Sequence, residues 1–274
     1  DGADSGRFLQ GQLSRDVQSL GPSDAPLGAW HSAAGRAKAI FRVLRLPEGW
    51  LLVTDKDLVT TVARDLERFV LRDDVRIGGA GDRWHAVALL GNAIEWLQRH
   101  EIDLGASSGH RVTVDELHWI RIGPRLVQVV GSKKSIGQLE AEFPSDANDA
   151  IALEEISLGL PQVTPELQDR FIPQMLNLDI LGALDEHKDC YPGQEIITRT
   201  QNLGTVKRRM LRFSAGTSRN PAIGSVLLDD TGAPAGNIIR SSAATGRLEI
   251  LAVTRLDRLG HRLFAEAAPS VPLR

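Results

Sequence analysis

One cysteine in 274 residues, Cys190, limits this chain more than any other feature. A lone thiol closes no intramolecular disulfide, and structural zinc or iron–sulfur sites take several thiolates. The fold must therefore rest on buried apolar surface. With 42% hydrophobic residues there is enough for a real core, and the length suits one large domain or two to three small ones. The seven histidines are scattered without HxH or HxxxH spacing, so no protein-built metal site is expected. A formal net charge of −3 gives no overall pull toward nucleic acid or anionic membrane. No apolar run approaches the roughly 18–20 residues of a membrane span. Asp1–Gln10 has no basic stretch leading into an apolar one, so no signal peptide is expected. The sequence opens on Asp1 rather than Met, which leaves room for an element before it. A cytoplasmic protein fits these features, with monomer as the default.

Periodicity predicts a helix over Ser5–Val17 and a turn region at Gly21–Gly28. Strands follow at Ala37–Leu46 and Trp50–Thr54. Asp55 is placed to cap a helix over Lys56–Leu71, where apolar residues fall at 58, 59, 62, 63, 66, 69 and 70. Strands are expected at Val75–Ile77, Trp84–Leu90, Arg111–Val114, Leu117–Ile122 and Leu126–Val130, with helices at Asn92–Arg99 and Ser135–Phe143. That order suggests a split α/β sandwich of ferredoxin-like type. A helix at Ala150–Leu158 follows. From Thr205 onward, short strands (Val206–Phe213, Ser225–Leu228, Gly236–Arg240, Arg247–Ala252) alternate with turns, as in a small antiparallel barrel.

The densest chemistry lies at His187-Lys188-Asp189-Cys190-Tyr191-Pro192-Gly193-Gln194-Glu195. Pro192-Gly193 marks a turn, and Gln194–Arg199 reads as the first turns of a helix. Cys190 would then sit in a tight loop before a helix N-terminus. Unpaired amides and a nearby ammonium favour a thiolate; Asp189 and Glu195 oppose it. The plainer alternative is a small, buried, apolar cysteine, the commoner fate of a free thiol.

Lys188-x-Cys190-Tyr191-x-Gly193-Gln194-Glu195 resembles the signature of the YgfZ family, folate-binding relatives of the glycine-cleavage T-protein. Other segments resemble that family in the same order: Gly2-Ala3-Asp4 with Phe8–Gln12 and Asp16, then Gly35-Arg36, Gly159-Leu160-Pro161, Phe171–Gln174 with Asn177-Leu178, and Gly204 through Lys207-Arg208-Arg209.

The resemblance implies an α+β, three-domain T-protein-like ring. A discontinuous folate-binding-type domain would take residues 1–49 and 145–199, a ferredoxin-like insertion 50–144, and a C-terminal antiparallel β-barrel 200–274. It also implies tetrahydrofolate or a derivative as ligand, iron–sulfur client enzymes as partners, and roles in cluster assembly or repair and in tRNA modification. Cys190 becomes the functional thiol. Lys188, Tyr191, Gly193, Gln194, Glu195 and Arg199 shape its loop, and Gln12, Asp16, Arg36 and Ser157 become candidate folate contacts.

Three departures stand out. Asp189 occupies a position where the family usually has Gly, and Asp carries a cost if that position needs positive φ. Ser157 stands where T-protein relatives carry a pterin-reading Glu, and a hydroxyl cannot replace a bidentate carboxylate. Gly35–Ala39 lacks the acid of the T-protein's catalytic loop, so aminomethyl transfer is not expected. A one-carbon transferase and a scaffold with a vestigial pocket are the alternatives. Lys207-Arg208-Arg209 with Arg212 reads as a solvated strand face before it reads as an RNA contact. The five tryptophans read as core or ring lining, and Gly78-Gly79-Ala80-Gly81 as a turn.

Overall fold

The computed structural model describes residues 1–79, 81, 83–143, 148–244, 246–266 and 272–273. Ala80 of the expected glycine-rich turn and the expected boundary at 144/145 lie outside the described residues. The chain divides into two compact units: Asp1–Trp30, Ala39–Ala147 and His187–Tyr191 in the first, and His31–Lys38, Asn148–Glu186 and Pro192–Arg274 in the second.

The first unit opens on a short helix, α1 (Ser5–Gln10), rather than one reaching Val17. Beyond Gly11 the chain leaves the helical path. Leu13 bridges Trp30, and the Ser14 amide donates to Ala29 at 2.9 Å, so a strand-like pairing replaces the next helical turn. Strands β1 (Leu27–His31), β2 (Ala37–Leu46) and β3 (Gly49–Val53) form one sheet in that order. Asp55 caps the next segment by accepting from Asp57 N at 2.9 Å. A 3-10 turn (Lys56–Leu58) leads into α2 (Val59–Glu67), which buries Val62 and Leu66 one turn apart. Val75–Ile77 is not a strand; Arg76 instead exchanges backbone hydrogen bonds with Asp1.

Next come β4 (Trp84–Leu90), α3 (Asn92–Arg99), β5 (Arg111–Val114), β6 (Leu117–Arg121), β7 (Leu126–Ser132) and α4 (Lys133–Glu142). The strands form an antiparallel sheet in the order β4-β7-β6-β5. One face packs against both helices through Trp119, Val127, Val129, Leu97 and Leu139. The other face buries Ile120 and Val130 against Ala25, Leu44 and Leu51. Burial on both faces explains why neighbouring residues of β6 and β7, such as Trp119 with Ile120 and Val129 with Val130, are apolar instead of alternating with polar ones. Each such side chain contributes about 2 kcal/mol of burial.

The second unit contains α5 (Asn148–Ser157) and α6 (Gln194–Leu203), with 3-10 turns at Pro165–Leu167 and Pro173–Leu176. Strands β8 (Arg208–Ala215), β9 (Val226–Asp229), β10 (Pro234–Ala244), β11 (Arg247–Arg255), β12 (Leu263–Ala265) and β13 (Pro272–Leu273) form an antiparallel sheet in the order β13-β12-β9-β10-β11-β8. Its end strands β8 and β13 approach each other without pairing among the described residues, so the sheet curls toward closure. Leu248, Ile250 and Ala252 alternate along β11 to fill the interior with Leu227 and Ile238. The β9–β10 turn hangs on Asp229, which accepts from Thr231 N, Thr231 Oγ1 and Ala233 N, and pairs with Arg258 at 3.0 Å. These bonds, the Thr231 hydroxyl first, hold the Asp229 carboxyl down at about 2.

Candidate functional site

The loop that carries Cys190 is fastened by the residues beside it. Lys188 Nζ donates to the carbonyls of Gln10 and Leu13, the latter at 2.7 Å. Gln10 is the last residue of α1, whose terminal carbonyls lack helical partners, and an ammonium is a favourable group to satisfy them. The same Nζ sits 4.9 Å from the centroid of the Tyr191 ring, within cation–π range. Tyr191 is buried. Gln10 is buried as well, and its Oε1 accepts from Val17 N at 3.0 Å. The lysine thus anchors the loop against Gln10 and Leu13, with the buried tyrosine ring beside its ammonium. Cys190 lies between them and is exposed, so the reading of a buried apolar cysteine fails.

Asp189 is not among the non-glycine residues with positive φ, so replacing Gly there carries no left-handed penalty. Gly193 is where that demand falls. It adopts φ +78 and caps α6. A Cβ there would stand 2.5 Å from Ser32 O and 2.6 Å from Gly35 Cα. Gly35 is itself at φ +69, and a Cβ on it would meet Ile196 Cβ at 3.1 Å. Two glycines therefore let the start of α6 lie backbone to backbone on the loop 32–36. That loop is pinned in turn: Ser32 Oγ donates to Asp169 Oδ1 at 2.5 Å, and Arg36 Nη1 to Arg170 O at 2.6 Å.

Further along α6, Gln174 Nε2 donates to Ile197 O at 2.9 Å, and Asn177 Nδ2 to Met210 O at 2.7 Å. Arg209 grips Asp179 with two bonds, at 2.7 and 2.8 Å, and donates to Gln174 O. Gln174 and Asn177, singled out in the sequence only by resemblance, are the residues that hold this helix and β8. No local signal assigns them that task, because their partners lie 23 and 33 residues away.

Of the remaining loop residues, Gln194 is half-buried, and Glu195 pairs with Arg199 one turn on at 2.5 Å, both exposed. Such a surface pair contributes little. The expected folate contacts are placed as follows. Gln12 is half-buried, with its Oε1 buried and lacking a hydrogen-bond partner among the described residues. Asp16 organises its own turn, accepting from Gln18 N at 3.1 Å. Arg36 is committed to Arg170 O as above. Ser157 is exposed, and its hydroxyl donates back to Glu154 O at 2.8 Å. Two residues earlier, Glu155 pairs with Arg240 at 2.8 Å; burial pushes its carboxyl upward while Arg240 opposes this.

Comparison with known proteins bears on this arrangement. No family model matches the chain. The tRNA-modifying protein YgfZ of Aliivibrio fischeri is 27% identical over 239 residues, covering 82% of this chain and 70% of that protein. The same-named protein of Cronobacter sakazakii is 27% identical over 234 residues, 81% of this chain and 70% of its own. This chain is similar in sequence to the YgfZ proteins. Among solved structures, the glycine cleavage system aminomethyltransferase T of Bartonella henselae matches with a TM-score of 0.76 at 15% identity, over 100% of this chain and 80% of that one. This chain therefore has the T-protein fold, with the helices and antiparallel sheets described above. No helix among the described residues is long and apolar enough to cross a membrane.

Proposed function

We propose that this protein is a tetrahydrofolate-binding accessory factor that supports iron–sulfur enzymes, those that modify tRNA among them, with Cys190 as its working thiol. The observation that carries the reading is the mounting of the loop. Lys188 and Tyr191 are both committed to holding it, and the thiol they hold is left facing solvent. A cysteine kept only for packing needs no such mount. The T-protein fold and the YgfZ relatives support the same assignment.

Gln12 fits a folate in one respect. Its buried, unpartnered amide oxygen is a ready acceptor for an amino N–H such as a pterin presents. Ser157, with its hydroxyl spent inside its own helix, offers no matching group. A bound reduced folate supplies a carrier for one-carbon units; this chain's residues do the holding. Gly35–Ala39 brings no carboxylate to act as a base, which argues against aminomethyl transfer. The reading goes with three domains, 1–49 with 145–199, 50–144 and 200–274, in a cytoplasmic protein.

Calorimetry with tetrahydrofolate tests the ligand. Saturable binding is expected, weakened about tenfold in Gln12→Leu by the loss of one hydrogen bond. Cys190→Ala should keep both stability and folate affinity yet fail to restore tRNA modification in cells lacking the protein. A Cys190→Ala protein that restores it removes the thiol from the mechanism. Absence of any saturable site favours the scaffold with a vestigial pocket, to which the Ser157 geometry already points. Folate-dependent release or transfer of formaldehyde would favour the transferase instead.

A further inference from the structure

Isolated aliphatic side chains on a surface need no explanation; a linked group of them does. In the second unit Ile180 is 73% exposed and Leu203 86%, and Leu256 and Leu259 are exposed too. Backbone and side-chain bonds place Leu256, Leu259 and the neighbour of Ile180 beside residues 207–209. Leu256 N donates to Lys207 O at 3.0 Å, and Leu259 N to Leu256 O. The two bonds between Arg209 and Asp179 fix the residue next to Ile180 against the strand. Leu203 ends α6 four residues before Lys207.

The charges nearby are unequal. Arg255 is balanced by Asp257 at 2.7 Å and Arg258 by Asp229. Lys207 and Arg208 are exposed and make no side-chain hydrogen bond or ion pair among the described residues. Exposed aliphatic side chains and two cations without an ion-pair partner among the described residues thus come from one stretch of the second unit, on a chain whose formal net charge is −3.

We propose that this surface, at the junction of α6 and β8, docks an acidic amphipathic segment of a partner protein. Aliphatic side chains at the centre call for an apolar stripe on the partner, of the kind a helix presents at i, i+3, i+4 and i+7. Lys207 and Arg208 at the edge select carboxylates beside that stripe and speed encounter. RNA is a poorer fit. Single strands are held by stacking on aromatic rings, and the four residues at the centre of this patch are leucine and isoleucine. The proposal stands independently of folate and of Cys190.

The test is selection of random peptides displayed on phage against three baits: wild type, Ile180→Ser with Leu203→Ser, and Lys207→Glu with Arg208→Glu. The altered side chains are exposed, so unfolding midpoints should match wild type, and matching midpoints qualify the baits. Wild type should enrich peptides that combine Asp or Glu with aliphatic residues at helical spacing. A selected peptide, followed by fluorescence anisotropy, should bind each double variant about tenfold or more weakly, with the wild-type affinity falling as salt rises. Equal enrichment on wild type and the serine variant overturns the proposal, as does enrichment of peptides without acids. Tight binding of polyuridylate that Lys207→Glu with Arg208→Glu abolishes would give the surface to RNA. Self-association of wild type that the serine variant abolishes would give it to a second copy. Either result refutes the stated partner.

Discussion

Gly193→Ala is the sharpest perturbation of the start of α6. The new methyl would lie 2.5 Å from Ser32 O and 2.6 Å from Gly35 Cα. Ordinary contacts between such atoms lie near 3.5 Å, so the overlap is about 1 Å on two sides. Both obstacles are backbone, and neither can swing away. Overpacking of that kind costs about 1–3 kcal/mol. An alanine at φ +78 adds about 1–2 kcal/mol. The expected destabilisation is therefore about 2–5 kcal/mol, read as a lower urea midpoint at constant slope. Gly159→Ala is the control. Its φ is +66, yet a Cβ there meets nothing within 4 Å, so only the conformational cost of about 1–2 kcal/mol applies. If the two variants lose the same stability to within about 0.5 kcal/mol, the backbone contact between the two glycines has no energetic role and the reasoning is wrong.

Two further outcomes follow from the same geometry. Lys188→Met keeps most of the apolar stem but strips the Gln10 and Leu13 carbonyls of their donor and the Tyr191 ring of its cation; a loss of about 2 kcal/mol is expected in urea unfolding, and unchanged stability would show the ammonium to be ornamental. His31 is buried and its imidazole is pushed down to about 3 by burial. The unfolded chain, titrating near 6.5, therefore takes up the proton first as pH falls, so stability is lost from about 6.5 down to about 3. Between about pH 7 and pH 5 this single group lowers stability by about 2 kcal/mol. The pH dependence should flatten by that amount in His31→Leu, and an unaltered slope would mean that His31 is protonated in the folded protein at pH 5.

What the sequence made legible was mostly local. Strands β2 and β4 and helix α3 lie where their spacing places them, because each carries its periodicity and its breakers within a dozen residues. The Asp55 cap is local too. The failures have distant causes. Helix α1 stops seven residues short of the expected Val17 because Leu13 and Ser14 pair with strand β1. Strands β12 and β13 are three and two residues long, too short to show alternation, and exist by pairing with β9 and each other. At the site, the Pro192-Gly193 turn was readable, but the need for glycine comes from Ser32 and Gly35. Lys188 looked like a neighbour for the thiol. Its ammonium is instead directed at carbonyls that no sequence window around residue 188 contains.

The reach of Lys188 has a temporal side. Its bond to Gln10 spans 178 residues of the 274. At about 5–20 residues per second, a ribosome needs about 10–40 seconds to make the stretch between them. Throughout that interval the end of α1 lacks its cation, and closing so long a loop must wait for the intervening structure. The mount for the thiol is thus among the last parts of the first unit to assemble. A chain cut short before residue 188 carries neither the lysine nor the cysteine, so every molecule able to present that thiol has already been translated past the sheets and helices that lie between Gln10 and Lys188.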